Sequence, residues 1–509
     1  MEGPFTIFFL YHFMAKRTQA FQLSLPPREK GVPSYRWLYS SLRHAVLEGR
    51  LRAGTRLPST RDLATQYALS RGTIVTAFDL LISEGYFEGA VGSGTFVRNI
   101  LPEELLEVGR QGLRAAPPAK PLQRRLSGYA KRARLFVGLL PRPTRAFRSN
   151  IPALDLFPAT LWAQIASRRL RRAPVSLLTG CEPMGYPPLR EAVAAYLTTS
   201  RGVNCKAAQI AIVSGVQEAL ESASRLLLDP GDRVCMEDPG YIGATMVFEG
   251  VAARITPLRL DEAGMLIQPA RMRGAKMVYI TPAHQYPLGI TMSLPRRLEL
   301  LDWARKSGAL IFEDDYDSEY RYSGRPVPSL QGLDKNGVVL FAGSFNKVLF
   351  PSLRLGYLVV PPDMVPYFEA ASSVTKRHAP LIEQAIVCDF ITEGHFGRHL
   401  RRMREVYAER LSLLLETAKH RLAGLLEISG VEAGMQTVGW LAGGISSRAA
   451  AKAAAERNVE VLPLGSIPRG QTKQEALHLG FAAVGAQEIR RGVLELALAL
   501  ENLAVQPGK

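Results

Sequence analysis

Apolar side chains recur at helical spacing from Ser34 onward, at Leu38, Leu42, Ala45 and Val46, until Glu48-Gly49 and Ala53-Gly54 interrupt the pattern. This predicts a first helix. Ser59 then stands three residues before Asp62, a capping-box spacing, ahead of Leu63, Ala64 and Tyr67, which predicts a short second helix. Ser70 is placed to cap a third, whose apolar face is Ile74, Ala77, Phe78 and Leu81, with Arg71, Gly72, Thr73 and Thr76 at its start or facing outward. Tyr86-Phe87 and Thr95-Phe96-Val97 flank Gly89 and Gly92-Ser93-Gly94, the pattern of a hairpin with a glycine tip.

Beyond residue 150 the pattern changes to short β-rich runs alternating with helical ones. Ala211-Ile212-Val213, Arg233 to Met236, Met277 to Ile280, Ala309 to Phe312 and Val338 to Phe341 each end in a polar or glycine-containing turn. This predicts an α/β domain with a largely parallel sheet, and such sheets bind ligands at the carboxyl ends of their strands. Those ends read Ser214-Gly215-Val216-Gln217, Glu237 to Tyr241, Thr281 to Gln285, Glu313 to Tyr316 and Gly343 to Lys347. A lysine, a carboxylate, aromatics and phosphate donors thus converge on one edge.

The formal charge of +17 over 509 residues is unevenly spread. Residues 1–98 carry +5, residues 99–150 carry +8, and the remaining 359 residues carry only +4. A positive field concentrated at the front attracts polyanions, nucleic acid first among them. The four scattered cysteines exclude a disulfide scaffold and a zinc ribbon and fit a reducing cytoplasm. No stretch reaches the ~20 apolar residues of a membrane span, and the apolar Phe5–Phe13 lacks the flanks of a signal peptide. The boundaries read as an extension over 1–30, a winged helix-turn-helix over 31–98, a basic Pro-containing linker over 99–148 and an α/β body over 149–509.

The front resembles the GntR family of bacterial winged-helix regulators through Gly54 to Ala64, Leu69 to Thr73, Glu84-Gly85-Tyr86 and Gly92 to Val97. That resemblance implies DNA contacts by Arg61, Ser70, Arg71 and Thr73, with Gly92 and Ser93 in the wing, and departs at Val75, where some relatives carry a basic residue. The body resembles the class-I/II aminotransferases of fold type I, with a large domain and a smaller C-terminal α+β subdomain. The combination, with Glu313 to Tyr322 and Leu353 to Tyr357, is similar to the MocR subfamily of transcription regulators.

Carried over, the resemblance implies pyridoxal 5'-phosphate, with Lys347 as the Schiff-base lysine and Asp314 as partner of the pyridine nitrogen. Tyr316 would donate to the ring hydroxyl and Tyr241 would stack on the ring, with His284 or Gln285 near the ring oxygen. Gly215, Val216, Gln217, Ser344 and Arg354 would bind the phosphate, the first three through a helix N-terminus. No metal is implied.

Three positions depart from the aminotransferase pattern: Asn346 stands where a phosphate-binding Ser is common, Gly180 where relatives place a Tyr that reaches the partner subunit's phosphate, and His478 where an Arg holds the substrate α-carboxylate. His478 is either an effector contact or a packed core residue, and Arg469 is a candidate substitute for the missing Arg. The expectation is a cytoplasmic, homodimeric regulator that binds a double-stranded DNA operator and senses an amine, an amino acid or a B6 vitamer. Two alternatives stand beside it: an active aminotransferase with a vestigial DNA domain, and a regulator whose body has lost its cofactor. Ser344-Phe345-Asn346-Lys347 also matches S-x-x-K, but the S-D-N and K-T-G partners of penicillin-recognising hydrolases do not occur.

Overall fold

The computed structural model describes residues 23–90, 94–99, 124–136, 142–324, 327–464 and 475–504. The chain forms two compact units, Met1–Arg124 and Arg125–Lys509.

In the first unit, helices α1 (Ser34–Leu47), α2 (Thr60–Gln66) and α3 (Arg71–Ser83) precede the antiparallel strands β1 (Phe87–Ala90) and β2 (Gly94–Val97). Both predicted caps form: the Ser59 hydroxyl accepts from the Asp62 amide at 3.2 Å, and that of Ser70 from the Thr73 amide at 3.1 Å. The Ser59 hydroxyl in turn donates to the Asp62 carboxylate at 2.7 Å. The apolar stripes of the three helices meet Leu51, Leu57, Tyr86, Phe87 and Val97 in one core. Residues 23–26, read as extension, belong to this unit: Leu23 and Leu25 pack on the core, and Tyr67 and Trp37 donate to the carbonyls of Leu23 and Pro26.

In the second unit, the described residues form an eight-stranded sheet in the order β3-β10-β9-β8-β7-β4-β5-β6. The strands are β3 (Ile210–Val213), β4 (Arg233–Asp238), β5 (Arg254–Asp261), β6 (Gly264–Met265), β7 (Ala275–Ile280), β8 (Leu310–Asp315), β9 (Val339–Ser344) and β10 (Gly356–Val359). Strands β5, β4, β7, β8 and β9 are mutually parallel; β10 lies antiparallel between β9 and β3, and β6 antiparallel to β5. Because side chains alternate across a strand, Val234, Met277 and Phe312 join the core with helices Val216–Leu227 and Ile242–Gly250. Their neighbours Cys235, Val278 and Ile311 pack on helix Leu294–Ser307. Burial on both faces explains the continuous apolar runs.

A second sheet, in the order β11-β12-β14-β13, contains β11 (Leu426–Ile428), β12 (Gln436–Leu441), β13 (Leu462–Pro463) and β14 (Ala476–Gly480). It forms the smaller C-terminal α+β part. The end of the stretch read as linker is part of this body. Ala146 and Phe147 are buried and bridge to Val459 and Gly480, while in the short helix Gly128–Arg132, Arg132 donates to the Gly250 carbonyl at 3.2 and 3.0 Å. An apolar contact, not composition, sets that boundary.

Candidate cofactor and DNA sites

The parallel strands bring their carboxyl ends to one edge, and β10 begins there. Gly356 pairs with both Val213 and Ser344, so the Arg354 turn lies beside the ends of β3 and β9. Lys347 sits in the single turn Phe345–Val348 after β9, which Ser344 caps by accepting from the Asn346 amide at 3.2 Å. Its Nζ donates to the Asn150 carbonyl at 3.0 Å. Burial pulls its pKa down to about 8, against the opposing attraction of Asp317 and Asp314.

Asp314 lies near the end of β8, where the Tyr279 hydroxyl donates to Oδ2 at 2.6 Å. Oδ1 is buried without a hydrogen-bond partner among the described residues, and burial pushes the carboxyl up to about 7. A buried acceptor of this kind calls for a donor from the cavity, and a protonated pyridine nitrogen is one. Tyr241 precedes helix Ile242–Gly250, donates to the Gln217 Oε1 at 3.3 Å and stands edge-on to Tyr286 with centroids 5.7 Å apart.

Gly215 has φ +140° and leads helix Val216–Leu227, whose first-turn amides lack intrahelical acceptors. That φ favours glycine, and a Cβ there would stand 3.0 Å from the Asn346 Nδ2. Asn346 joins three strand ends: Oδ1 accepts from the Leu355 amide at 3.0 Å and Nδ2 donates to the Ser214 carbonyl at 3.4 Å. Arg354 adopts a left-handed conformation, is exposed, and makes no ion pair or hydrogen bond among the described residues. These donors fit a phosphate dianion.

Tyr316 and His284 meet at 3.2 Å, and Gln436 donates to the Tyr316 hydroxyl at 3.4 Å. The His284 Nδ1 lies 2.9 Å from the Asp317 carboxylate, while its Nε2 is buried without a partner among the described residues. Gln285, expected with His284 near the ring oxygen, has both amide hydrogens committed, to the carbonyls of Pro239 and Tyr286 at 2.9 and 2.6 Å. It braces backbone instead. His478 is fully buried on β14, edge-on to Tyr286 at 5.3 Å, with neither ring nitrogen partnered among the described residues. Burial pulls its pKa down to about 3, so the imidazole is neutral. Gly180 has φ +127° and faces His378, whose Nε2 would lie 3.2 Å from an added Cβ. Arg469 lies outside the described residues.

Sequence reasoning missed Asn150, Tyr279 and Gln436. Asn150, at φ +64°, gave no local signal, and Tyr279 sits in a run that reads as core.

On the first unit, Arg61 and Arg71 are exposed at the starts of α2 and α3. The hydroxyls of Ser70 and Thr73 lie 2.8 Å apart, Val75 is 37% exposed, and the charged side chains of α3 are Arg71 and Asp79. Gly92 and Ser93 lie outside the described residues.

Two family models match the chain: bacterial regulatory proteins of the gntR family over residues 34–97, and aminotransferase class I and II over residues 147–495. The probable rhizopine catabolism regulatory protein MocR of Rhizobium meliloti is 38% identical, over 94% of this chain and 97% of its own. The pyridoxine biosynthesis transcriptional regulator PdxR of Corynebacterium glutamicum is 30% identical, over 78% of this chain and 81% of its own. The α-aminoadipate aminotransferase LysN of Thermus thermophilus, solved with N-(5'-phosphopyridoxyl)-L-leucine, has a TM-score of 0.67 at 28% identity, over 75% of this chain and 98% of its own. A gntR-type winged helix joined to a body of the pyridoxal-phosphate-dependent class I and II aminotransferase family, with MocR similar over nearly the whole length, places the chain in the MocR subfamily of helix-turn-helix transcription regulators.

Proposed function

We propose that the protein is a pyridoxal-phosphate-dependent transcription regulator, acting in the cytoplasm as a homodimer on a double-stranded operator, whose body senses a primary amine, an amino acid or a B6 vitamer. The observation that carries this reading is the pairing, at one sheet edge, of a buried amine of lowered pKa at Lys347 with the partnerless carboxylate oxygen of Asp314. Pyridoxal phosphate bound there supplies an aldehyde carbon that condenses with primary amines.

The protein's own residues do the rest. Lys347, with its amine pulled toward neutrality, is the covalent anchor. Asp314 holds a proton on the ring nitrogen. Tyr316, positioned by His284 and Gln436, donates to the ring hydroxyl, and Tyr241 covers the ring. The amides after Gly215, the side chains of Gln217 and Ser344, and Arg354 take the phosphate. His478 offers a neutral imidazole where turnover would need a fixed cation for the α-carboxylate, which favours sensing over transamination. Arg61, Ser70, Arg71 and Thr73 present α2 and α3 to the operator, with Gly92 and Ser93 in the wing; a dimer would read two half-sites.

Regulation requires the effector to bind one arrangement of the protein better than another. The test is an operator titration of the cofactor-loaded protein with and without candidate amines. An amine that displaces Lys347 and also changes the operator Kd supports the proposal; displacement with no change in Kd for any amine overturns it.

A further inference from the structure

A cleft of about 640 Å³ opens behind the cofactor edge, between helices Pro187–Arg201 and His395–Arg421 and the segment following β8. Its volume suits a small molecule. Arg201, Arg297, Arg321, Arg401 and Arg404 line it, against the carboxylate of Glu319 alone among the described residues.

Three of these cations are neutralised locally: Arg201 by Asp315 at 2.8 Å, Arg321 by Glu432 at 2.8 Å, and the buried Arg297 by Glu313 at 3.8 Å. Arg404 and Arg401 are not. Arg404 directs Nε and Nη2 to the Glu319 carbonyl at 3.2 and 2.9 Å, and neither residue has a carboxylate partner among the described residues. Three residues apart on one helix, they face the same way. Beside them Ser318 lines the cleft, and its hydroxyl is buried without a hydrogen-bond partner among the described residues. Surplus guanidinium charge next to a buried, unanswered hydroxyl is the chemistry of an anion site.

Consecutive residues join the cleft wall to the cofactor edge. Ala283, Ser318 and Ala433 line the cleft, and their chain neighbours His284, Asp317 and Gly434 meet one another beside Tyr316. There the Asp317 carboxylate holds His284 at 2.9 Å and accepts from the Met435 amide at 3.2 Å. A Cβ at Gly434 would fall 2.0 Å from the His284 Cε1, so this layer has no slack.

We propose that the cleft is a second small-molecule site, taking a compact polyanion through carboxylate or phosphate groups held by Arg401, Arg404 and Ser318, and that its occupancy bears on His284 through this wall. The test is calorimetric titration of the full chain with citrate and, separately, inorganic phosphate, in excess pyridoxal phosphate so that the cofactor's phosphate cradle is filled. Saturable binding is expected, weakened roughly tenfold by Arg401→Gln and by Arg404→Lys, each of which removes a charge-assisted or forked contact. Tighter citrate binding identifies a polycarboxylate, tighter phosphate binding a phosphoester. Absence of saturable binding, or unchanged binding in both variants, overturns the proposal. So does an Arg401→Gln variant that loses DNA affinity but keeps citrate, which assigns the patch to nucleic acid. Arg401 is exposed, so its variant remains informative if Arg404→Lys fails to fold.

Discussion

The Tyr279 hydroxyl and the Asp314 Oδ2 are 2.6 Å apart, and that one bond leaves Oδ1 as a buried acceptor without a hydrogen-bond partner among the described residues. Tyr279 fixes the carboxylate plane, so the free oxygen is directed before any ligand arrives. We predict that Asp314→Asn raises the Kd for pyridoxal phosphate at least tenfold, as an amide cannot hold the ring nitrogen protonated and a hydrogen bond to a charged group contributes roughly 1.5–3 kcal/mol. Fluorescence titration of the purified variant measures it; an unchanged Kd places the ring nitrogen elsewhere.

The same burial gives a pH signature. In the cofactor-free protein Asp314 and Glu237 are both pushed up to about 7, chiefly by burial. Between their ordinary carboxylate values and 7 the folded chain retains protons that the unfolded chain has released, so stability falls as pH rises through that window. Asp314→Asn removes one of these groups and should flatten the fall in Tm measured from pH 4.5 to 7.5. A slope identical to wild type would contradict the assigned shift.

In the first unit, Ser70→Ala should lower stability to urea by about 1 kcal/mol, through loss of the 3.1 Å cap on the Thr73 amide, while Ser70→Gly costs only a few tenths. Equal losses in the two variants would mean that the hydroxyl caps nothing in solution.

Arg71→Ala should weaken binding to an operator selected from random duplexes by tenfold or more, within the roughly 1–3 kcal/mol of a specific arginine contact, and leave cofactor binding intact. Anisotropy at fixed salt reads the first quantity and absorbance the second. Unchanged DNA affinity would remove α3 from the groove.

Local signals carried the front of the molecule well, since Ser59 and Ser70 cap neighbours only three residues away and the apolar stripe of α3 is written in its own sequence. The strand ends were legible for the same reason, each run closing in a polar turn. What the sequence hid is contact across distance. Asn150 meets Lys347 from 197 positions away, and Gln436 meets Tyr316 from 120. Ala146 and Phe147 looked like linker because the residues they bridge, Val459 and Gly480, lie in the C-terminal part. Gln285 was misleading in the opposite sense: a polar residue at a strand end whose amide serves backbone, that of its own loop at Tyr286 and that of the turn after β4 at Pro239.

The central claim is that Lys347 carries pyridoxal phosphate in this regulator. Its most direct test is the visible absorption of the purified protein titrated with pyridoxal phosphate, beside Lys347→Ala. We predict a saturable visible band in the wild type, shifted by primary amines and trapped on Lys347 by borohydride, and no such band in the variant. A wild type without a band, or a variant with the same one, would contradict the account.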